Sequence, residues 1–203
     1  WEASPTPPWQ VASALAGASI AALGIDPARP VQTLPLPGVL APAIDKRFTR
    51  AQRNTLLWNG FSTLVVDASG NVSIERVVSE YRQTAAGAAD PSFLNVETVS
   101  TVTYLRYDSR TLFQRKYPRH KLGDDGTRFG PGQPVMTPKL AKAELIMRFE
   151  MWEEAGLVQD RAAFMRDLVV ERSSTDLDRL NALIPPTIIN QLRVFAGLLQ
   201  FRL

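Results

Sequence analysis

The 203-residue sequence contains no cysteine and a single histidine, His120. Without cysteine there can be no disulfide framework, thiolate metal site or cysteine nucleophile. With one histidine, a metal site built on two imidazoles is excluded, and a Ser-His-Asp arrangement would have to use His120. Neither a G-x-S-x-G nucleophile elbow nor a P-loop occurs. Long uninterrupted apolar runs are also missing. The longest stretch, Val11 to Leu23, is alanine-rich, carries Ser13 and Ser19, and has no basic region before it. It reads as neither a membrane span nor a signal peptide, and a soluble protein is expected. The first residue is Trp1, without an initiator methionine, and it leads straight into an apolar helical pattern. A fragment of a longer polypeptide is therefore expected.

What is present is ordinary globular material, 45% hydrophobic and 21% charged, enough for one large domain or two small ones. The net charge of +3 argues only weakly for nucleic acid. Its distribution is more informative. Arg106, Arg110, Arg115, Lys116, Arg119 and Lys121 share their segment with one acid, Asp108, whereas Glu150, Glu153, Glu154, Asp160, Asp167 and Glu171 follow. Such asymmetry suits contacts between unlike faces of neighbouring molecules.

Local patterns place the elements. A helix is expected from Pro8 to Leu23, stopped by Gly24. The proline-rich stretch from Asp26 to Pro42 is expected to run extended as a strap over the core, excluded from the middle of a sheet. Thr49 caps a helix from Arg50 to Trp58, closed by Asn59-Gly60. Phe61–Asp67 and Val72–Val78 read as a hairpin, and 80–91 as a surface loop. Helical spacing of Leu94, Val99, Val102, Leu105, Leu112 and Phe113 predicts a helix over Ser92–Tyr117, ended by Pro118. Thr137-Pro138 starts another, with Ala141, Leu145, Phe149 and Trp152 on one face and Gly156 as terminator. A short helical turn over Asp160–Met165, a strand over Asp167–Ser173 and a polar helix or turn over Thr175–Leu183 follow.

Chemistry-bearing residues are sparse. His120 sits among basic residues beside Pro118 and reads as a surface or loop-packing side chain. Asp124-Asp125, between Gly123 and Gly126, has the residue types of a cation loop but no acidic partner at EF-hand spacing, so turn formation explains it better. The basic set around Arg110 could follow a phosphate backbone, yet no nucleic-acid motif accompanies it and Tyr104, Tyr107 and Tyr117 form no stacking platform. An acidic protein partner fits it better.

The tail is the most informative feature. From Arg193 to Leu203, Phe195, Leu199, Phe201 and Leu203 fall on one face of an extended chain, after the break at Pro185-Pro186. Such a strand needs both a sheet edge and an apolar surface. It can fold back onto its own domain or add to a neighbour's sheet, and spacing alone favours the first.

Five segments in order resemble one family. They are Asp26-Pro-Ala-Arg-Pro-Val-Gln-Thr-Leu, Thr49-Arg-Ala-Gln-Arg-Asn-Thr-Leu-Leu, Leu64-Val-Val-Asp with Val72-Ser-Ile-Glu-Arg, Lys116-Tyr-Pro-Arg-His-Lys-Leu-Gly-Asp-Asp-Gly, and Pro185-Pro-Thr-Ile-Ile-Asn-Gln-Leu-Arg-Val-Phe-Ala-Gly-Leu-Leu. Together they resemble the tail sheath proteins of Mu-like contractile phages and prophages, over nearly the whole chain. The resemblance implies a larger parent protein, with this chain as its C-terminal part. It implies a structural subunit of the virion tail, made in the host bacterial cytoplasm, that assembles with its own copies around a tail tube and meets baseplate and tail terminator proteins. No enzymatic activity, cofactor, metal, nucleic acid or membrane is expected.

The fold class expected is α+β, a small mixed β-sheet flanked by helices with an extended C-terminal arm. The chain divides into a sheath domain at 1–184 and a hinge and β-arm at 185–203. The resemblance shifts the tail toward a neighbour's sheet, with Arg193, Val194, Phe195, Leu198, Leu199, Phe201 and Leu203 as the intersubunit arm and Pro185 and Pro186 as its hinge. Candidate contacts to the tube or to other subunits are Arg110, Arg115, Lys116, Arg119 and Lys121 on the basic side, and Glu153, Glu154, Asp160 and Arg161 on the other. A hydrolase with a pocket at His120, or a basic nucleic-acid-binding module, is the alternative.

Overall fold

The computed structural model describes residues 4–202 and contains two compact units, the first formed within residues 1–100 and 190–203 and the second by 101–189.

In the first unit, helix α1 (Pro8–Ile25) begins with proline at its first position, where a fixed φ and a missing N–H cost nothing. It carries no charged side chain. Val11, Ala14, Leu15, Ala18 and Ala22 nevertheless define an inner stripe at helical spacing, packed against a core of Val31, Leu36, Val39, Val72 and Ile74. Trp9, Ile20 and Ile25 stay exposed. Length and composition alone would let α1 cross a membrane. In this fold one side of it covers core instead.

The proline-rich strap contributes Val31, Leu36 and Val39 to that core. It lies along one edge of the hairpin: Thr33 N–H donates to Ile74 O at 2.8 Å, Ile74 N–H to Leu34 O at 2.9 Å, and Leu36 N–H to Val72 O at 2.9 Å. Prolines are tolerated at such an edge because few of its N–H groups are needed there. A short 3₁₀ turn at Ile44–Lys46 precedes α2 (Arg50–Trp58). A reciprocal cap opens α2, the Thr49 hydroxyl accepting from Gln52 N–H and Gln52 Oε1 from Thr49 N–H. The hairpin strands β1 (Thr63–Val66) and β2 (Val72–Arg76) pair antiparallel. Asp67 closes their turn by accepting from the N–H groups of Ser69 and Asn71.

Helix α3 (Val96–Lys116) begins four residues after the expected Ser92. Asn95 bridges to Val78, and Ser79 N–H donates to Leu94 O at 2.7 Å, so pairing holds this stretch extended before the helix can start.

In the second unit, β3 (Lys121–Leu122) pairs with β4 (Val135–Met136) in parallel. Gly123 follows because a Cβ there would stand 2.6 Å from the Phe129 ring and 2.9 Å from Val135. Thr137 caps α4 (Pro138–Glu154) through Leu140 N–H, and Ala141, Leu145, Phe149 and Trp152 form its buried face as expected. After Gly156, with φ at +70°, come β5 (Val158–Gln159) and α5 (Arg161–Asp167). Phe164 of α5 stacks on Phe149 with centroids 4.2 Å apart.

Strand β6 (Val169–Arg172) pairs antiparallel with β7 (Leu180–Leu183). Of the expected helix or turn over 175–183, a turn forms where Arg179 N–H donates to Asp176 O at 3.1 Å, and Leu180–Leu183 is corrected to strand: the Leu-Asn-Ala-Leu segment lacks β-branched residues, and its partner strand imposes the extended form. Finally β8 (Thr187–Ile188) pairs antiparallel with β5. The α+β class is as expected; its β component consists, among the described residues, of three antiparallel pairs and one parallel pair.

Candidate assembly surfaces

Residues 190–202 adopt no strand in the single chain, and 193–202 make no backbone-to-backbone hydrogen bond there. The expected C-terminal strand is thus absent from the lone molecule. Its side chains find no cover either: Phe195 is 89% exposed and Leu199 95%, and Val194, Leu198 and Phe201 are exposed as well. Leu203, also assigned to the arm, lies outside the described residues.

Arg193 behaves differently from the residues that follow it. Its Nη2 donates to Glu97 Oε2 at 3.0 Å, with the Glu97 side chain fully buried. The other oxygen of Glu97 accepts the Val31 N–H from the strap at 3.2 Å. Next to this pair, Arg76 donates through two nitrogens to Asn95 Oδ1. Burial pulls the Arg76 pKa below the usual guanidinium range, Arg193 adds repulsion, and Glu97 partly opposes both. One carboxylate therefore serves a strap amide and an arm guanidinium, with a second guanidinium close by. Sequence reasoning placed Arg193 in the arm but missed its pairing, because Glu97 lies 96 positions away and belongs to no motif.

Pro185 and Pro186, expected to be the hinge, connect β7 to β8. Both strands are paired, and Ile189 N–H still donates to Leu157 O at 3.0 Å. The unpartnered stretch begins after Arg193.

The basic residues separate by engagement. Lys116 pairs with Glu144 at 2.6 Å, and this bond raises the lysine pKa above its ordinary value. Lys121 donates to Gln133 at 3.0 Å. Arg110, Arg115 and Arg119 are exposed and have no ion-pair partner among the described residues. On the other set, Arg161 pairs with Glu150. Asp160, at φ +62°, caps α5 by accepting from Ala163 N–H at 3.0 Å. Glu153 and Glu154 are exposed at the end of α4. The chemistry left for an outside partner is three arginines on and just after α3 and two glutamates on α4.

His120 is exposed and edge-on to Tyr117, their centroids 4.9 Å apart. It stands at the rim of a groove of about 430 Å³ whose floor includes Phe113, Leu122, Met136 and Leu145. Asp124 pairs with Arg172 at 2.9 Å, and Asp125 accepts the Lys139 N–H at the start of α4 at 3.0 Å. A turn forms here as expected, with Thr127 N–H donating to Asp124 O at 3.4 Å, and both carboxylates bind outside it. Among the described residues no group of three or more His, Cys, Asp or Glu side chains could hold a metal ion. An apolar groove of about 440 Å³ in the first unit is lined by Val11, Leu15, Phe48, Leu56, Phe61 and Leu64.

Comparison with known proteins bears on what these surfaces serve. Residues 2–79 match the family model of the phage tail sheath protein central domain, and residues 88–202 match that of the phage tail sheath C-terminal domain. The Mu-like prophage FluMu tail sheath protein of Haemophilus influenzae is 44% identical over 198 residues, which is 98% of this chain and 40% of that protein. The crystal structure of the sheath tail protein from Desulfitobacterium hafniense superposes with a TM-score of 0.53 at 15% identity, covering 81% of this chain and 37% of the other. A chain in the cryo-EM structure of the anti-feeding prophage baseplate gives 0.59 at 10% identity, covering 93% and 49%. At those identities the likeness is one of fold. The chain spans less than half the length of each of these proteins. With both family models matched in order along its length, the chain belongs to the phage tail sheath family.

Proposed function

We propose that this chain is an assembly module of a contractile tail sheath, and that its C-terminal arm, from Val194 onward, completes the sheet of an adjacent copy. The observation that carries the reading is the arm itself: exposed apolar side chains, and backbone groups that have no partner among the described residues. Isolated extended apolar segments are unfavourable in water unless another surface accepts them. Strand addition suits a moving lattice, because main-chain hydrogen bonds are indifferent to side-chain identity and persist while the connecting segment rotates.

The same reading assigns the free charges. Arg110, Arg115 and Arg119, with Glu153 and Glu154, provide polar contacts to the tail tube or to neighbouring sheath copies. Such contacts form and break readily, as contraction requires, because solvent screens them. Work is supplied by relaxation of a metastable lattice, with no nucleotide hydrolysis and no catalytic role in the subunit. Baseplate and terminator proteins bound the polymer, which forms part of the virion tail after synthesis in the host cytoplasm.

The test is electron microscopy of the full-length protein with and without the residues after Arg193. Truncation is expected to leave the circular dichroism spectrum unchanged and to abolish tubular polymers. Normal tubes from truncated protein would overturn the proposed role.

A further inference from the structure

The arm does not emerge from a loose connection. Leu192 is tethered through its carbonyl, which accepts from Gln32 Nε2 at 3.4 Å, and Arg193 is held by Glu97 at 3.0 Å. The Arg193 side chain is 18% exposed between Leu192 at 76% and Val194 at 77%, so it is the last anchored side chain before the free segment. That boundary falls on a buried carboxylate in the first turn of α3, where the helix N-terminus adds favourable potential. Three parts of the first unit meet at that carboxylate: the strap through Val31, α3 through Glu97 itself, and the root of the arm through Arg193. Arg76, anchored to Asn95, adds a second guanidinium to the cluster.

We propose that Glu97 is the positioning residue of the arm: by seating Arg193 it fixes where the exchangeable segment leaves the molecule, so that swinging begins at Val194 and not at the double proline. The inference rests on the reading that the arm is exchanged between copies. A seated root gives the free part, residues 194–202, a reach of roughly 30 Å at ~3.3 Å per residue. Opening the seat would release the chain back to Asn190 and add roughly 13 Å at the same rise, spreading the free end over a larger volume. A fixed root therefore raises the effective concentration of the arm at one distance and selects one neighbour geometry.

Trypsin tests the seat directly, because it must take the arginine side chain into its own pocket. In the folded chain the Arg193 side chain is sequestered. In the 203-residue chain, cleavage after Arg193 is expected to be at least ~10-fold slower than in a free peptide of residues 188–198, since cutting at a closed site follows the population of its open form. Glu97→Gln removes the charge that holds the guanidinium and is expected to raise cleavage after Arg193 ~10-fold on the same principle. Chymotryptic cleavage after Phe195, beyond the seat, should not change. Glu97→Asp, which keeps the charge, should restore slow cleavage in part, a rescue that general loosening of the fold would not produce.

Equal rates at Arg193 in the unmodified chain and in the free peptide would overturn the proposal, as would a folded Glu97→Gln protein with unchanged cleavage. The unmodified ratio is read without any substitution, so a variant that fails to fold leaves the test intact. All these rates belong to the lone chain, so they stand or fall separately from strand exchange, which the truncation experiment addresses.

Discussion

The Trp152 indole N–H donates to Asp108 Oδ2 at 2.7 Å, and the same carboxylate forms a two-pronged ion pair with Arg148. Asp108 is the one acid in a basic stretch of α3, and it is spent on anchoring α4 rather than on offsetting its neighbours' charge. Asp108→Asn leaves Arg148 without its counter-charge in a half-buried site. The expected loss is about 2 kcal/mol of unfolding free energy, in the range for hydrogen bonds to charged groups. Urea denaturation followed by tryptophan fluorescence measures it.

Acid should act through the same group. Burial by itself pushes the Asp108 carboxyl up, but the bonds from Arg148 and Trp152 outweigh it and hold the pKa below the ordinary value. The unfolded chain, with an aspartate near about 3.9, then binds more protons than the folded one between the two pKa values. This stabilising contribution is complete above the unfolded pKa and is lost as pH falls through the lower, folded one. Stability measured from pH 6 down to pH 3 should fall less steeply in Asp108→Asn than in the unmodified protein.

Legibility in the sequence followed how local each determinant is. The cap at Thr49, the start at Thr137-Pro138 and the stop at Gly156 are set within a few residues, and all three stand where the pattern puts them. The start of α3 was misplaced because pairing of Asn95 with Val78, not propensity, decides it. Strand β7 is likewise imposed by β6. In the arm, alternation marks an apolar face only for an extended chain; a strand needs a partner, and among the described residues the single chain provides none. The seat at Glu97 was invisible because its members lie in the strap, on β2, at the head of α3 and at the end of the chain.

Removing one member of that seat should cost more than removing another. Glu97→Gln leaves two guanidinium groups facing each other without a carboxylate, and about 3 kcal/mol of stability should be lost, as when a buried pair is broken from one side. Arg193→Met leaves Glu97 bonded to Val31 N–H and still near Arg76, and about 1.5 kcal/mol is expected, the low end for a hydrogen bond to a charged group. Denaturant titration of both variants measures the asymmetry; equal losses would contradict the arrangement.

Asp160 caps α5 and also carries an exposed charge, and substitution can separate the two. As the cap of α5 in a left-handed conformation it can be replaced by asparagine, which caps and tolerates that region equally well. Asp160→Asn should change stability by less than ~0.5 kcal/mol, whereas Asp160→Ala should lose about 1–2 kcal/mol. If the charge also contacts a partner, Asp160→Asn will weaken assembly of the full-length protein while its thermal midpoint stays put.

Electron cryomicroscopy of polymer assembled from the full-length protein tests the central claim most directly. The account predicts that residues 194–202 form a strand hydrogen-bonded to the backbone of an adjacent copy, with Phe195, Leu199 and Phe201 buried against it. Density showing those residues paired only within their own subunit, or still exposed to solvent in the polymer, would contradict it.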